Sequence, residues 1–252
     1  IMNELDINNP QLPDFIVPGA DEKKQDEPAK IKVIGVGGGG GNAVNHMYHQ
    51  GIGGVSFVLC NTDAQALRNS PVPVKVQLGA KGEGAGNIPE VAKKLAEESA
   101  AEVEALFDDN TRMAFITAGM GGGTGTGAAP VVARIAKEKG VLTVGIVTIP
   151  FLFEGEPKIL QAFAGVEEMR KHVDALLVIN NERLCKIYPD LSWTTAFAKA
   201  DDSLSNAARS IAELVSKDGK INLDFADVRT TLKDGGAAVI STGSGEGEHR
   251  MS

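Results

Sequence analysis

Gly119-Met-Gly-Gly-Gly-Thr-Gly-Thr-Gly127 lies between an apolar run, Arg112–Ala118, and a helical stretch, Ala128–Lys139. A tight strand-to-helix turn needs one or two glycines, and this segment has six. Without Cβ atoms, successive backbone N–H groups can close on an anion, and the following helix adds partial positive charge at its N-terminus. Thr124 and Thr126 supply two hydroxyls. No Gly-Lys-Ser/Thr ends the segment, so phosphates would be held by amides and helix termini, with no P-loop lysine.

The flanking sequence alternates strand and helix. Ile31–Val36, Val55–Cys60, Val72–Leu78, Arg112–Ala118, Val141–Thr148 and Ala175–Ile179 read as strands, with Pro71 and Pro73 placing the third near an edge. Asn42–Gln50, Glu90–Phe107, Ala128–Lys139 and Glu156–Lys171 read as helices, followed by the long amphipathic Thr194–Ser216. Ala226–Lys233 reads as a short helix and Ala237–Ser241 as a last strand. Continuous apolar strands alternating with helices predict an α/β fold, a parallel Rossmann-like sheet flanked by helices. Such sheets bind ligands at the carboxyl ends of their strands.

A second glycine run, Gly35-Val-Gly-Gly-Gly-Gly-Gly-Asn42, follows the first strand and also reads as a phosphate loop. Gly35, Gly37 and Gly40 satisfy G-x-G-x-x-G, and Asp63 lies near the end of the second strand. An NAD-binding oxidoreductase is therefore one reading. The richer loop at Gly119–Gly127 has no use in a dinucleotide fold and tips the balance away from it. The histidines, His46, His49, His172 and His249, are scattered, and no hydride-site histidine–acid pair is evident.

Composition sets the bounds. The chain has 252 residues, 42% hydrophobic and 23% charged, which excludes a disordered chain, a collagen and a disulfide-stapled mini-domain. Its formal net charge of −8 argues against a nucleic-acid partner. Cys60 and Cys185 sit in apolar runs and read as buried, reduced thiols. No apolar run approaches the ~20 residues of a membrane span, so no direct membrane insertion is expected. No signal peptide is seen at the N-terminus, and a cytoplasmic setting is expected.

Gly119–Gly127 resembles the signature loop of the tubulin/FtsZ family of GTPases. Gly35–Asn42, Asn61-Thr-Asp-Ala-Gln-Ala-Leu67 and Asn222-Leu-Asp-Phe-Ala-Asp-Val228 are similar to segments of its bacterial cell-division branch. The resemblance covers about residues 31–250. It implies GTP or GDP across the loops, with Mg²⁺ beside the β/γ-phosphates. Gly38, Gly39, Gly40, Gly41 and Asn42 would hold the α/β-phosphates. Ala85 and Gly86, in Gly82-Glu-Gly-Ala-Gly86, match a γ-phosphate-sensing loop in which Glu83 is expected to point to solvent. Gly121, Gly122, Gly123, Thr124 and Gly125 would hold the β/γ end. Glu154 matches a ribose contact, and Lys158 stands where the family usually has arginine. Asn181 and Asp202 match base contacts, Phe197 would stack on the base, and Asp201 stands where many members have asparagine. No protein metal ligands are assigned.

The resemblance also implies how hydrolysis is completed. Asp224 and Asp227, with Asn222, would enter the nucleotide pocket of the next subunit and orient the attacking water, so the GTPase site forms only in a head-to-tail homopolymer. The expected role is filament assembly at the mid-cell division site, with division and membrane-adaptor proteins bound through a C-terminal tail. A tubulin-superfamily filament other than the division protein is the nearer alternative, and the NAD-binding oxidoreductase the more distant one. Relatives continue beyond Ser252, so the chain is expected to be truncated, with assembly and turnover impaired. The expected organisation is a flexible extension at 1–30, a GTP-binding domain at 31–191, a central helix at 192–217, and at 218–252 the catalytic loop, a helix and the first strand of an incomplete second domain.

Overall fold

The computed structural model describes residues 30–52, 54–108, 110–188 and 192–216, together with 230, 231, 233, 236 and 237. Its elements are β1 (Lys30–Val36), α1 (Gly37–His49), β2 (Ser56–Asn61), α2 (Ala64–Arg68), β3 (Val74–Gln77), α3 (Pro89–Glu98), α4 (Ala100–Ala105), β4 (Thr111–Gly119) and α5 (Gly123–Glu138). There follow β5 (Leu142–Ile149), a 3-10 turn (Leu152–Glu154), α6 (Glu156–Arg170), β6 (Ala175–Asn180), α7 (Glu182–Ile187), α8 (Trp193–Ser216) and β7 (Gly236–Ala237).

The strands form one parallel sheet in the order β3-β2-β1-β4-β5-β6-β7. Alternate side chains go to opposite faces, and both faces are apolar. Ile34, Val36, Val58, Cys60 and Ile116 pack on one side with Ala128, Val132 and Ala136 of α5. Val33, Leu59, Phe115, Val144 and Ile146 pack on the other with Ala43, Val44 and Met47 of α1 and Leu204 and Ala208 of α8. Fully buried side chains of this kind contribute about 1.5–3 kcal/mol each relative to exposure, which makes the two-sided core the main support of the sheet. Burial also pushes the Cys60 thiol up to about 12, so it stays protonated and unreactive. Cys185, read from sequence as buried, is only partly so.

The structure departs from the sequence reading in both glycine runs and in the predicted helix Glu90–Phe107. Both glycine runs are partly helical: α1 begins at Gly37 and α5 at Gly123. Close approach explains why glycine is needed there. A Cβ on Gly40 would stand 2.2 Å from Thr117 O, and one on Gly125 would stand 2.3 Å from Gly119 O. The predicted helix Glu90–Phe107 is two helices, broken at Ser99, whose Oγ accepts from Gly79 N at 2.8 Å. Gly236–Ala237 pairs in parallel with Ala175 and Leu176 at the end of this sheet, and of the expected strand Ala237–Ser241 the residues after Ala237 lie outside the described residues.

Strand order decides where a ligand can enter. β1 and β4 are neighbours, with Val36 opposite Ala118. The chain leaves β1 through α1 toward β2 on one side, and leaves β4 through α5 toward β5 on the other. This reversal opens a crevice at the carboxyl ends of β1 and β4. Each glycine-rich helix start therefore begins at that crevice.

Candidate functional site

A cleft of ≈ 510 Å³ occupies the crevice. At one end it is lined by Gly38, Gly39 and Asn42 of α1 and by Gly122, Gly123, Thr124 and Gly125 at the start of α5. The first amides of each helix have no intrahelical acceptor, so two sets of donors converge on one space. The loops are held in register by their own contacts. Thr62 Oγ1 and Thr124 Oγ1 are 2.6 Å apart, joining the end of β2 to α5. Gly121 N donates to Thr126 Oγ1 at 2.9 Å, and Met120 N donates to Thr148 O at 2.9 Å. Among the described residues that line the cleft there is no lysine or arginine.

The far end is built by β6 and α8. Asn181 is buried, and its Oδ1 has no hydrogen-bond partner although it lies in the cleft wall. A buried carbonyl without a donor costs about 1–3 kcal/mol, so this atom marks a place where a ligand donor fits. Phe197, Ala200, Asp201 and Leu204 follow the helical spacing of three and four residues and present one face of α8 to the cleft. Phe197 meets Phe151 edge-on at 5.5 Å and Phe153 at 5.9 Å.

Of the two adjacent aspartates on α8, Asp201 lines the cleft and Asp202 does not. Asp202 lies one residue further round the helix and pairs instead with His46 Nε2 at 3.3 Å and Lys199 Nζ at 3.7 Å. The physical reason is helix phase: Asp201 is four residues from Phe197, and Asp202 is five. Burial pushes the Asp201 carboxyl up to about 6, and the nearby Asp202 charge adds to this, while the Asn42 hydrogen bond and His46 oppose it.

The other candidates divide. Ala85 and Glu154 line the cleft. Glu154 is held by Phe151 N at 3.0 Å and by Lys158 Nζ at 3.3 Å. Lys158 therefore faces Glu154 and lies outside the cleft wall, as do Gly40, Gly41, Gly86 and Gly121. Gly40 is packed on β4, and Gly41 lines a separate ≈ 50 Å³ cavity beside Cys60 and Asn61. Glu83 is exposed. Asn222, Asp224 and Asp227 lie outside the described residues. Sequence reasoning missed Asn87, Thr148, Pro150, Ala200 and Leu204 in the wall. The spacing from Phe197 was the available signal for the two on α8; the others reach the cleft through tertiary packing alone.

Asp63, on which the dinucleotide reading depends, caps α2. Its Oδ1 accepts from Gln65 N at 2.8 Å and Ala66 N at 3.2 Å. Among the described residues no group of three or more His, Cys, Asp or Glu could hold a metal ion, and no helix is long and apolar enough to cross a membrane.

The fold and cleft are those of a doubly wound α/β protein with two glycine-built helix starts meeting at its switch point. The chain belongs to the Tubulin/FtsZ family, whose GTPase-domain model matches residues 30–189. It is 66% identical over 228 residues to the cell division protein FtsZ of Porphyromonas gingivalis, an alignment covering 89% of this chain and 50% of that one. Against FtsZ of Wigglesworthia glossinidia brevipalpis it is 50% identical over 226 residues, covering 88% and 59%. The chain thus spans roughly half to three-fifths of these relatives' length. A solved empty FtsZ dimer from M. jannaschii superposes with a TM-score of 0.81 at 45% identity, over 84% of this chain and 63% of that one. A GTPγS-bound protofilament of CetZ2 from Haloferax volcanii superposes with a TM-score of 0.70 at 26% identity, over 82% and 64%.

Proposed function

We propose that the cleft binds GTP and GDP and that the protein is a GTP-hydrolysing, filament-forming cell-division protein. The observation that carries this reading is the buried, unpartnered Asn181 Oδ1 at one end of a cleft whose other end is two helix N-termini. The amides of α1 and α5 suit phosphates, while Asn181 Oδ1 and the Asp201 carboxylate are acceptors that suit the N–H edge of guanine. Adenine presents no matching pair of donors there. Phe197 offers its ring to the base, and Glu154 its carboxylate to the ribose.

Mg²⁺ would be held chiefly by the β/γ-phosphates, where it supplies charge neutralisation. The chain's own work is binding and orientation. Asn222, Asp224 and Asp227 are the residues proposed to reach the next subunit's nucleotide and position the attacking water. Assembly is then a condition of hydrolysis, and loss of the γ-phosphate weakens the contact between subunits. The setting proposed is the cytoplasmic division site, with adaptor proteins bound by parts of the longer protein.

Thermal unfolding tests the reading. At about a hundredfold excess over Kd, a ligand adds about 2.7 kcal/mol to stability, which is several degrees in Tm. GTP and GDP are expected to raise Tm in this way while ATP and NAD leave it unchanged. Equal shifts with ATP would remove the guanine assignment.

A further inference from the structure

Gln161 of α6 reaches across to both loops that border the phosphate end of the cleft. Its Nε2 donates to Gly121 O at 3.0 Å and Gly122 O at 3.1 Å, with Asn87 O at 3.4 Å. Three carbonyl oxygens can only accept, so the amide nitrogen must face them. It carries two protons; the two short contacts use them, and the Asn87 contact is shared. α6 can approach this closely because Gly165, one turn on, has no side chain: a Cβ there would stand 2.6 Å from Thr126 Cγ2 and 3.0 Å from Met120 Sδ.

A trans peptide points its C=O and N–H in opposite directions. Drawing the carbonyls of Gly121 and Gly122 toward α6 therefore turns the N–H groups of Gly122 and Gly123 the other way. Gly122 and Gly123 line the cleft, and Gly121, the residue between Met120 and them, does not. Asn87 belongs to the neighbouring loop and has φ +63, a conformation that L residues other than Asn and Asp seldom hold.

We propose that Gln161 is a positioning residue: it aims the Gly122 and Gly123 amides at the phosphates of a bound nucleotide and ties them to the 82–88 loop. This rests on the nucleotide reading of the cleft. Gln161 itself touches no phosphate. Its effect falls on the phosphate end, while the base end, built by Asn181 and Asp201, is left alone.

The test compares Gln161→Met, which fills the space without donating, and Gln161→Glu, which sets a carboxylate against carbonyl oxygens. Affinities for GTP and for guanosine are measured on the full chain. Gln161→Met is expected to weaken GTP about tenfold and leave guanosine unchanged, since one hydrogen bond's net worth is of that order. Gln161→Glu is expected to weaken GTP further. A merely structural role would lower both ligands in parallel, and an unchanged GTP-to-guanosine ratio would overturn the proposal. If the unsubstituted chain binds no GTP, the reading of the cleft has failed, and amide exchange in the ligand-free chain then decides. Faster exchange at 119–124 and 85–88 together in Gln161→Met supports positioning; unchanged exchange in both overturns it.

Discussion

His46 Nε2 lies 3.3 Å from Asp202 Oδ1 across the contact between α1 and α8, on the side of α8 that helix phase turns away from the cleft lined by Asp201. Neighbouring carboxylates on one helix thus have separate tasks. Asp201→Ala is expected to weaken guanine nucleotides by about ten- to a hundredfold, the range for a hydrogen bond to a charged group. Asp202→Ala removes a half-exposed pair, worth about 0–1 kcal/mol, and is expected to change affinity less than about threefold. Calorimetry on both variants checks this, and the reverse ranking would return base recognition to Asp202.

The raised Asp201 carboxyl makes binding depend on pH. The ionised form accepts from base N–H groups with both oxygens and with charge assistance, so affinity should fall as pH drops through about 6. Stability runs the opposite way. The folded value, about 6, exceeds the ordinary aspartate value of 3.8, so the favourable contribution is full below the lower value and lost as pH rises through about 6. Measuring GTP affinity and ligand-free Tm against pH tests both signs, and Asp201→Asn should flatten both curves.

Two glycines of α1 separate binding from folding. A Cβ on Gly38 meets no atom within 4 Å, and the residue faces the cleft. Gly38→Ala should therefore keep or raise stability, since alanine is favoured in a helix by up to about 1 kcal/mol, and should weaken nucleotide binding. Gly40→Ala meets Thr117 O at 2.2 Å and should lower Tm instead. Unfolding and binding measured on the same two proteins decide it.

In a longer form that assembles, Asp227→Ala should leave nucleotide affinity intact and reduce turnover by orders of magnitude. Steady-state phosphate release measured beside equilibrium binding checks this. Normal turnover would refute hydrolysis completed between subunits.

The strand–helix alternation was legible because buried parallel strands are continuous apolar runs, as in Val141–Thr148 and its observed counterpart Leu142–Ile149. The glycine runs were legible as a place but not as a shape. Their low helix propensity argued for loops, and the tight packing of Gly40 and Gly125 against neighbouring backbone overrides it. The break at Ser99 depends on a distant amide, Gly79 N, which no local pattern reveals. In the candidate site the helix starts, Asn181 and Phe197 were readable, whereas choosing between Asp201 and Asp202 required helix phase. Gln161 was not readable, because its partners lie on loops distant in sequence.

Calorimetric titration of the chain with GTP, ATP and NAD decides which nucleotide the cleft takes. Acceptors at Asn181 and Asp201 require binding of GTP with at least tenfold preference over ATP and no binding of NAD. Equal affinity for GTP and ATP, or binding of NAD alone, would contradict it.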